Sequence, residues 1–185
     1  MSQRRGFRSV FSLIHNRLSN IIRYNNTPTI HKESVAEHSY FVALYSMMLA
    51  DRLKSIDKVK IMQMALIHDV EEIISGDFPY KLKVDNKEFS DALEKINLIS
   101  ISSIFKDYEE YIVLWKELKE QITIESKVVK IADEISALIY ATSEVNLGNS
   151  FMVPMCIEMK SNLAAISDDK MFEFITEEFD ANSYI

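Results

Sequence analysis

Three glycines and three prolines in 185 residues give this chain few places to turn sharply. Turn-rich architectures need more of both, so the backbone is predicted to run in long helices. The apolar residues agree, recurring at the three- and four-residue spacings of helix faces rather than the alternation of strands. With 48% hydrophobic residues the chain can bury one sizeable core, and a single domain over 1–185 is expected. The predicted fold class is all-α, a compact helical bundle of about seven to nine helices.

Composition excludes several functions. The single cysteine, Cys156, rules out an internal disulfide and a cysteine-based zinc site. It reads as a small buried apolar residue in a reducing, cytoplasmic setting. No uncharged apolar run approaches the ~18 residues of a membrane span. Net charge is −7, yet residues 1–32 contain no acid and carry Arg4, Arg5, Arg8, Arg17, Arg23 and Lys32. The remainder is strongly acidic, which argues against a protein that coats nucleic-acid polymers. An arginine-rich, acid-free start is also the composition of a mitochondrial transit peptide.

In chain order, residues 7–22 place Val10, Phe11, Leu13, Ile14, Leu18, Ile21 and Ile22 at helical spacing. Arg23 and Tyr24 are expected to close this helix, and His15 is a surface or core-edge residue. Ser34-Val35-Ala36-Glu37 fits a capping box and opens a helix to about Leu53 that buries Val35, Val42, Tyr45 and Leu49. A third helix is predicted from about Asp57 to Ser75, ended by a left-handed Gly76 with Pro79 just beyond. Residues 77–83 read as a loop or short turn. Residues 86–105 read as an amphipathic helix with Phe89, Leu93, Ile96 and Ile99, and Leu98, Ile101 and Phe105 beside them, and 108–121 as a helix around Trp115 and Leu118. Thr123 to about Glu144 carries the stripe Val128, Ile131, Ile135, Leu138 and Ile139, with Gly148 as its stop. Two further helices are expected over 150–166 and 169–179, the acids from Asp169 to Asp180 forming a solvated face.

Three of these helices carry chemistry-bearing residues at unusual places. The third ends in His68, Asp69, Glu71, Glu72 and Asp77, directly after the apolar run from Ile61 to Ile67. Desolvated charge needs a partner, and a divalent cation is the simplest one, whereas a solvated helix end needs none. Glu72 would share a helix face with His68 and Asp69. His38 lies on the apolar stripe of the second helix, where a lone histidine is ordinarily a satisfied core residue. Its first-turn position keeps the ring neutral, as a metal ligand must be. Asp133, between Val129 and Ala137, is either exposed on a helix edge or buried with a partner.

The order His38, His68-Asp69, Asp133 in an all-helical chain resembles the HD-domain metal-dependent phosphohydrolases. Ala36-Glu37-His38-Ser39, His68-Asp69-x-x-Glu72-x-x-x-Gly76-Asp77-x-Pro79 and Val129-Lys130-x-Ala132-Asp133 are most similar to the 5′-deoxynucleotidase branch. The resemblance runs from about Arg23 to Asp133. It implies that His38, His68, Asp69 and Asp133 bind one divalent metal, a set suited to cobalt, manganese, zinc, nickel or iron. It implies Glu72 as the catalytic carboxylate that orients or deprotonates water, and Asp77 as a supporting acid. Arg23 and Lys83 match cations that bind phosphate, the arginine bidentately and the lysine as a point charge. An active-site Arg23 would make the basic start part of the fold and not a leader. Glu71 has no counterpart in the motif and is expected to be solvated. Tyr24 departs from the family's tryptophan, which packs against the sugar, so discrimination between deoxyribose and ribose is open to change here.

The expected function is hydrolysis of (deoxy)nucleoside 5′-monophosphates to nucleoside and orthophosphate. A deoxynucleoside triphosphate triphosphohydrolase on the same site, or a non-catalytic nucleotide sensor, is the alternative. A homodimer or larger homo-oligomer is expected from the resemblance, with no membrane or nucleic-acid polymer as partner.

Overall fold

The computed structural model describes residues 2–167, and the expected helix at 169–179 with its acidic face lies outside them. Among the described residues the chain is all-α: α1 (Ser2–Leu18), α2 (Val35–Ala50), α3 (Lys58–Ile67), α4 (Glu72–Ser75), α5 (Tyr80–Asp85), α6 (Lys87–Ile104), α7 (Glu109–Glu120), α8 (Ile124–Asn146), a 3-10 turn (Ser150–Met152) and α9 (Val153–Ser167). No helix there is long and apolar enough to cross a membrane.

Two apolar clusters hold these elements together, and the metal-site candidates lie where they meet. One joins α2, α3, α8 and α9 through Val42, Leu49, Ile61, Met64, Ile131 and Ile135. Cys156 is buried and free within it. The other joins α1, α4, α6 and α7 through Leu18, Val35, Ile73, Ile104 and Trp115. α8 runs through the middle, buried on nearly every side, so its stripe is broader than the one predicted. The capping box at Ser34 forms as expected: Ser34 Oγ accepts from Glu37 N (3.2 Å) and Glu37 Oε2 from Ser34 N (2.7 Å).

Several expectations need correction. α1 stops at Leu18, and Ile22 instead pairs with Ser34 in an isolated antiparallel bridge. Arg23 and Tyr24 therefore follow that bridge and do not cap a helix. The predicted helix from Asp57 to Ser75 is broken at residues 68–71. There the bonds tighten to the three-residue pattern, Val70 N to Ile67 O (3.2 Å), Glu72 N to Asp69 O (3.1 Å) and Ile73 N to Val70 O (3.2 Å). The cause is packing. Met64 and Ala65 belong to the first cluster and Ile67, Val70 and Ile73 to the second. Buried side chains three apart fit a 3-10 turn better than an α-helix.

Gly76 does stop α4, with its N–H on Glu72 O (2.7 Å), but at φ 80 and ψ 169 rather than in the left-handed helical region. That combination belongs almost exclusively to glycine. Residues from Tyr80 form the short helix α5, which Pro79 starts. α6 turns only part of the expected face inward: Leu93 and Ile101 are buried together with Ser100 and Ile104, while Ile96 and Ile99 are 47% and 70% exposed. Ser100 tolerates burial because its hydroxyl donates to Ile96 O (2.8 Å), within its own helix. Tyr45 is half-buried, not buried.

Candidate metal centre

Three parts of the fold bring the predicted ligands together. His38, one turn into α2, is fully buried; His68 and Asp69 occupy the break between α3 and α4; Asp133 projects from the middle of α8. His38 Nε2 lies 3.1 Å from Asp133 Oδ1 and 3.9 Å from Asp69 Oδ2, and His68 Nε2 lies 2.9 Å from Asp69 Oδ2. His38, His68 and Asp69 offer ligand atoms within 4.8 Å of one another and could hold a metal ion, and Asp133 adjoins them through His38.

The two histidine rings are held differently. His68 Nδ1 lies 2.8 Å from Ala65 O; a carbonyl only accepts, so that nitrogen carries the proton. His68 Nε2 is then a buried lone pair with no hydrogen-bond partner, since the approach to Asp69 lacks bonding geometry. An orphaned donor atom beside two carboxylates is what a cation satisfies. On the outer side of His38, Nδ1 meets Arg23 Nη1 (2.8 Å) and Ser136 Oγ (3.1 Å). Arginine only donates, so Nδ1 accepts and the proton of the neutral ring lies on Nε2, facing Asp133 Oδ1 (3.1 Å); a cation would have to displace that proton. Burial first, and then the Arg23 charge, push the His38 ring down to about 4, so it is neutral. The sequence placed that neutrality in the helix end; burial and Arg23 supply it.

The acids divide into two groups. Burial alone would raise Asp69, but its pairing with the adjoining His68 ring holds it below the usual carboxylate range; for Asp133 burial is overcome by Lys130 and then His38. Glu72 goes the other way. It is 8% exposed, its Oε2 has no partner, and burial together with Asp69 and Asp77 raises it well above an ordinary glutamate. Asp77 is raised chiefly by burial, and its Oδ2 accepts from Tyr24 N (3.0 Å).

A cavity of about 370 Å³ opens over this group. Asp69, Glu72, Asp77 and Asp133 line one side, with Arg23, Tyr24 and Lys83 beside them. Phe151, Met155 and Met159, from the 3-10 turn and α9, form an apolar wall. Arg23 is held by Glu33 Oε2 (2.7 Å), and Tyr24, at φ 54, stacks on Tyr140 with centroids 5.1 Å apart and planes 6° from parallel.

Some participants were given no role by the sequence. Lys130 bonds Asp133 (3.0 Å) and Glu134 (2.7 Å), a helical spacing that could have found it. Glu33 and Ser136 meet the site only through tertiary folding. Glu71, expected in solvent, is 2% exposed and paired with Lys119 at 2.7 Å, which corrects that expectation. It turns inward because the tightened turn at 68–71 rotates it toward α7.

A helical core that converges two histidines and two aspartates from separate elements defines the HD-domain class, and the HD domain family model matches residues 15–168. The chain belongs to this family. It is 34% identical over 117 residues to the protein named 5′-deoxynucleotidase HDDC2 of Dictyostelium discoideum, covering 59% of this chain and 61% of that protein. The chain thus spans less than two thirds of that relative. It is 28% identical over 173 residues to the 5′-deoxynucleotidase yfbR of Photorhabdus temperata, covering 86% of each. The fold is shared with an HD-domain phosphohydrolase from Listeria innocua at a TM-score of 0.80, with 22% identity over 93% of this chain and 86% of the other.

Proposed function

We propose that this protein is a metal-dependent phosphohydrolase that converts (deoxy)nucleoside 5′-monophosphates and water to nucleoside and orthophosphate. The observation that carries this reading is the convergence of His38, His68, Asp69 and Asp133 beneath a cavity whose wall presents Glu72, Arg23 and Lys83. The names of the Dictyostelium and Photorhabdus relatives support the substrate class. The four ligands would hold one divalent transition ion, which supplies Lewis acidity toward the phosphoryl group and a more acidic water.

The chain's own groups do the rest. Glu72, buried at the cavity wall beside Asp69, accepts the proton of the attacking water. Arg23 and Lys83 offset the phosphate charge, and the Glu33 contact fixes Arg23 before substrate arrives. Asp77 anchors the backbone of Tyr24 and so sets where the sugar end of the cavity lies. The α9 wall, rich in methionine, is deformable and fits a base without strict identity.

Phosphate release from a panel of deoxy- and ribonucleoside mono- and triphosphates, after chelation and return of single metals, tests this. Monophosphates are expected to give orthophosphate only with metal present. Glu72→Ala should lose about 10²–10⁴-fold in kcat while still binding metal, and Asp69→Ala should lose metal and activity together. Inert monophosphates would overturn the reading.

A further inference from the structure

We infer that Glu71 is a positioning residue of the metal centre, gripping the His68-Asp69 turn from α7 through Trp115 and Lys119. The inference rests on the metal-site reading above. Glu71 sits two residues beyond Asp69, inside the break between α3 and α4, and is 2% exposed. Both its oxygens are engaged: Oε2 accepts from Trp115 Nε1 (2.8 Å) and Oε1 from Lys119 Nζ (2.7 Å). The same Lys119 Nζ donates to the backbone carbonyl of His68 (3.0 Å) and lies 5.2 Å from the centre of the Trp115 ring.

The clasp therefore brackets the two adjacent ligands, holding His68 by its main chain and Glu71 by its side chain. Within the turn His68 is tied back to Ala65 O and the backbone bonds have tightened to three-residue ones, so the clasp adds the hold that comes from α7. Ile67, Val70 and Ile73 already secure the segment to the apolar core, so a buried charge is not needed to keep it folded. A buried carboxylate is costly unless its partners are in place, and here both partners come from α7 and act on the ligand-bearing turn. Groups that orient metal ligands in this way typically change affinity by about 10–100-fold when removed. Trp115, Lys119, Asp69 and Glu72 also line one cavity of about 310 Å³, so the indole adjoins the proposed ion site.

The chain has one tryptophan, which makes the clasp observable. Metal-free full-length protein is titrated with Zn²⁺, a closed-shell ion, by calorimetry and by Trp115 emission. Wild type is expected to bind saturably with a matching change in emission. Glu71→Gln keeps the size and an acceptor for the indole but loses the charge facing Lys119. Its Kd should weaken by about tenfold or more, with the metal-free melting temperature near wild type. The double variant Glu71→Gln/Lys119→Met, which leaves no unpaired charge, should be as weak or weaker. A purely structural role would lower the melting temperature of metal-free and Zn²⁺-loaded protein alike and leave Kd within twofold of wild type, and that result overturns the inference. So does saturable wild-type binding that leaves Trp115 emission unmoved. No saturable binding by wild type would instead overturn the metal-site reading itself.

Discussion

Tyr24 is proposed to face the sugar, and its surroundings say how firmly its ring is held. Its ring is fixed from behind by the stack on Tyr140 and by Arg23, whose guanidinium carbon lies 4.9 Å from the ring centre. Its positive φ of 54 is held by the bond from its backbone to Asp77. A fixed ring still discriminates by shape, but a tyrosine fills less volume than a tryptophan and adds a hydroxyl. Tyr24→Trp is expected to raise the deoxy-over-ribo ratio of kcat/KM by about 10-fold, within the one to three kcal/mol that pocket volume commands. Parallel kinetics on dAMP and AMP check it. Asp77→Asn keeps an acceptor for the Tyr24 N–H and should preserve that ratio better than Asp77→Ala. The grouping of His38, His68, Asp69 and Asp133 was legible at this scale because residue type, neighbouring words and helix position agreed. Glu71 was not, because Trp115 lies 44 residues away and no local pattern announces it.

At the scale of elements, periodicity found nearly every helix and misjudged where their faces change. The break at 68–71 is invisible to a helical reading, since Ile67, Val70 and Ile73 sit at spacings compatible with either helix type until the two clusters choose. The inward face of α6 was only partly legible for a related reason: a buried serine bonded to its own helix looks like a surface residue. The loop before α2 depends on another long-range contact. Glu144, near the end of α8, accepts from Ile30 N (2.7 Å), His31 N (2.6 Å) and Asn149 Nδ2 (2.7 Å). Burial alone would raise this carboxyl, but those donors hold it below its ordinary value of 4.5. A depressed group stabilises the fold above its unfolded pKa, and that stability disappears as pH falls through the folded value. Glu144→Gln should therefore cost about 1–3 kcal/mol at pH 7. The gap from wild type should narrow below about pH 4.5, as melting curves across pH 3–7 would show.

For the whole molecule, the proposed ion would act as a cross-link between the two apolar clusters. Anything that binds only the folded state raises stability by mass action, about 2.7 kcal/mol at one hundred times Kd. For a chain of this size that corresponds to a melting shift of roughly 5–10 °C, removable by chelation. Asp133→Asn should shrink the shift, and Asp69→Ala should abolish it. Calorimetric scans with and without Zn²⁺ measure both.

The proposed ligands stand on α2, on the α3–α4 break and on α8, and the break lies at the boundary between the two apolar clusters. The familiar histidine-aspartate word is therefore not portable. Transplanted into a regular helix of another scaffold, it would put its side chains in directions that this protein never uses. A graft that works must carry the packing boundary with it, and the smallest transferable unit is most of the bundle.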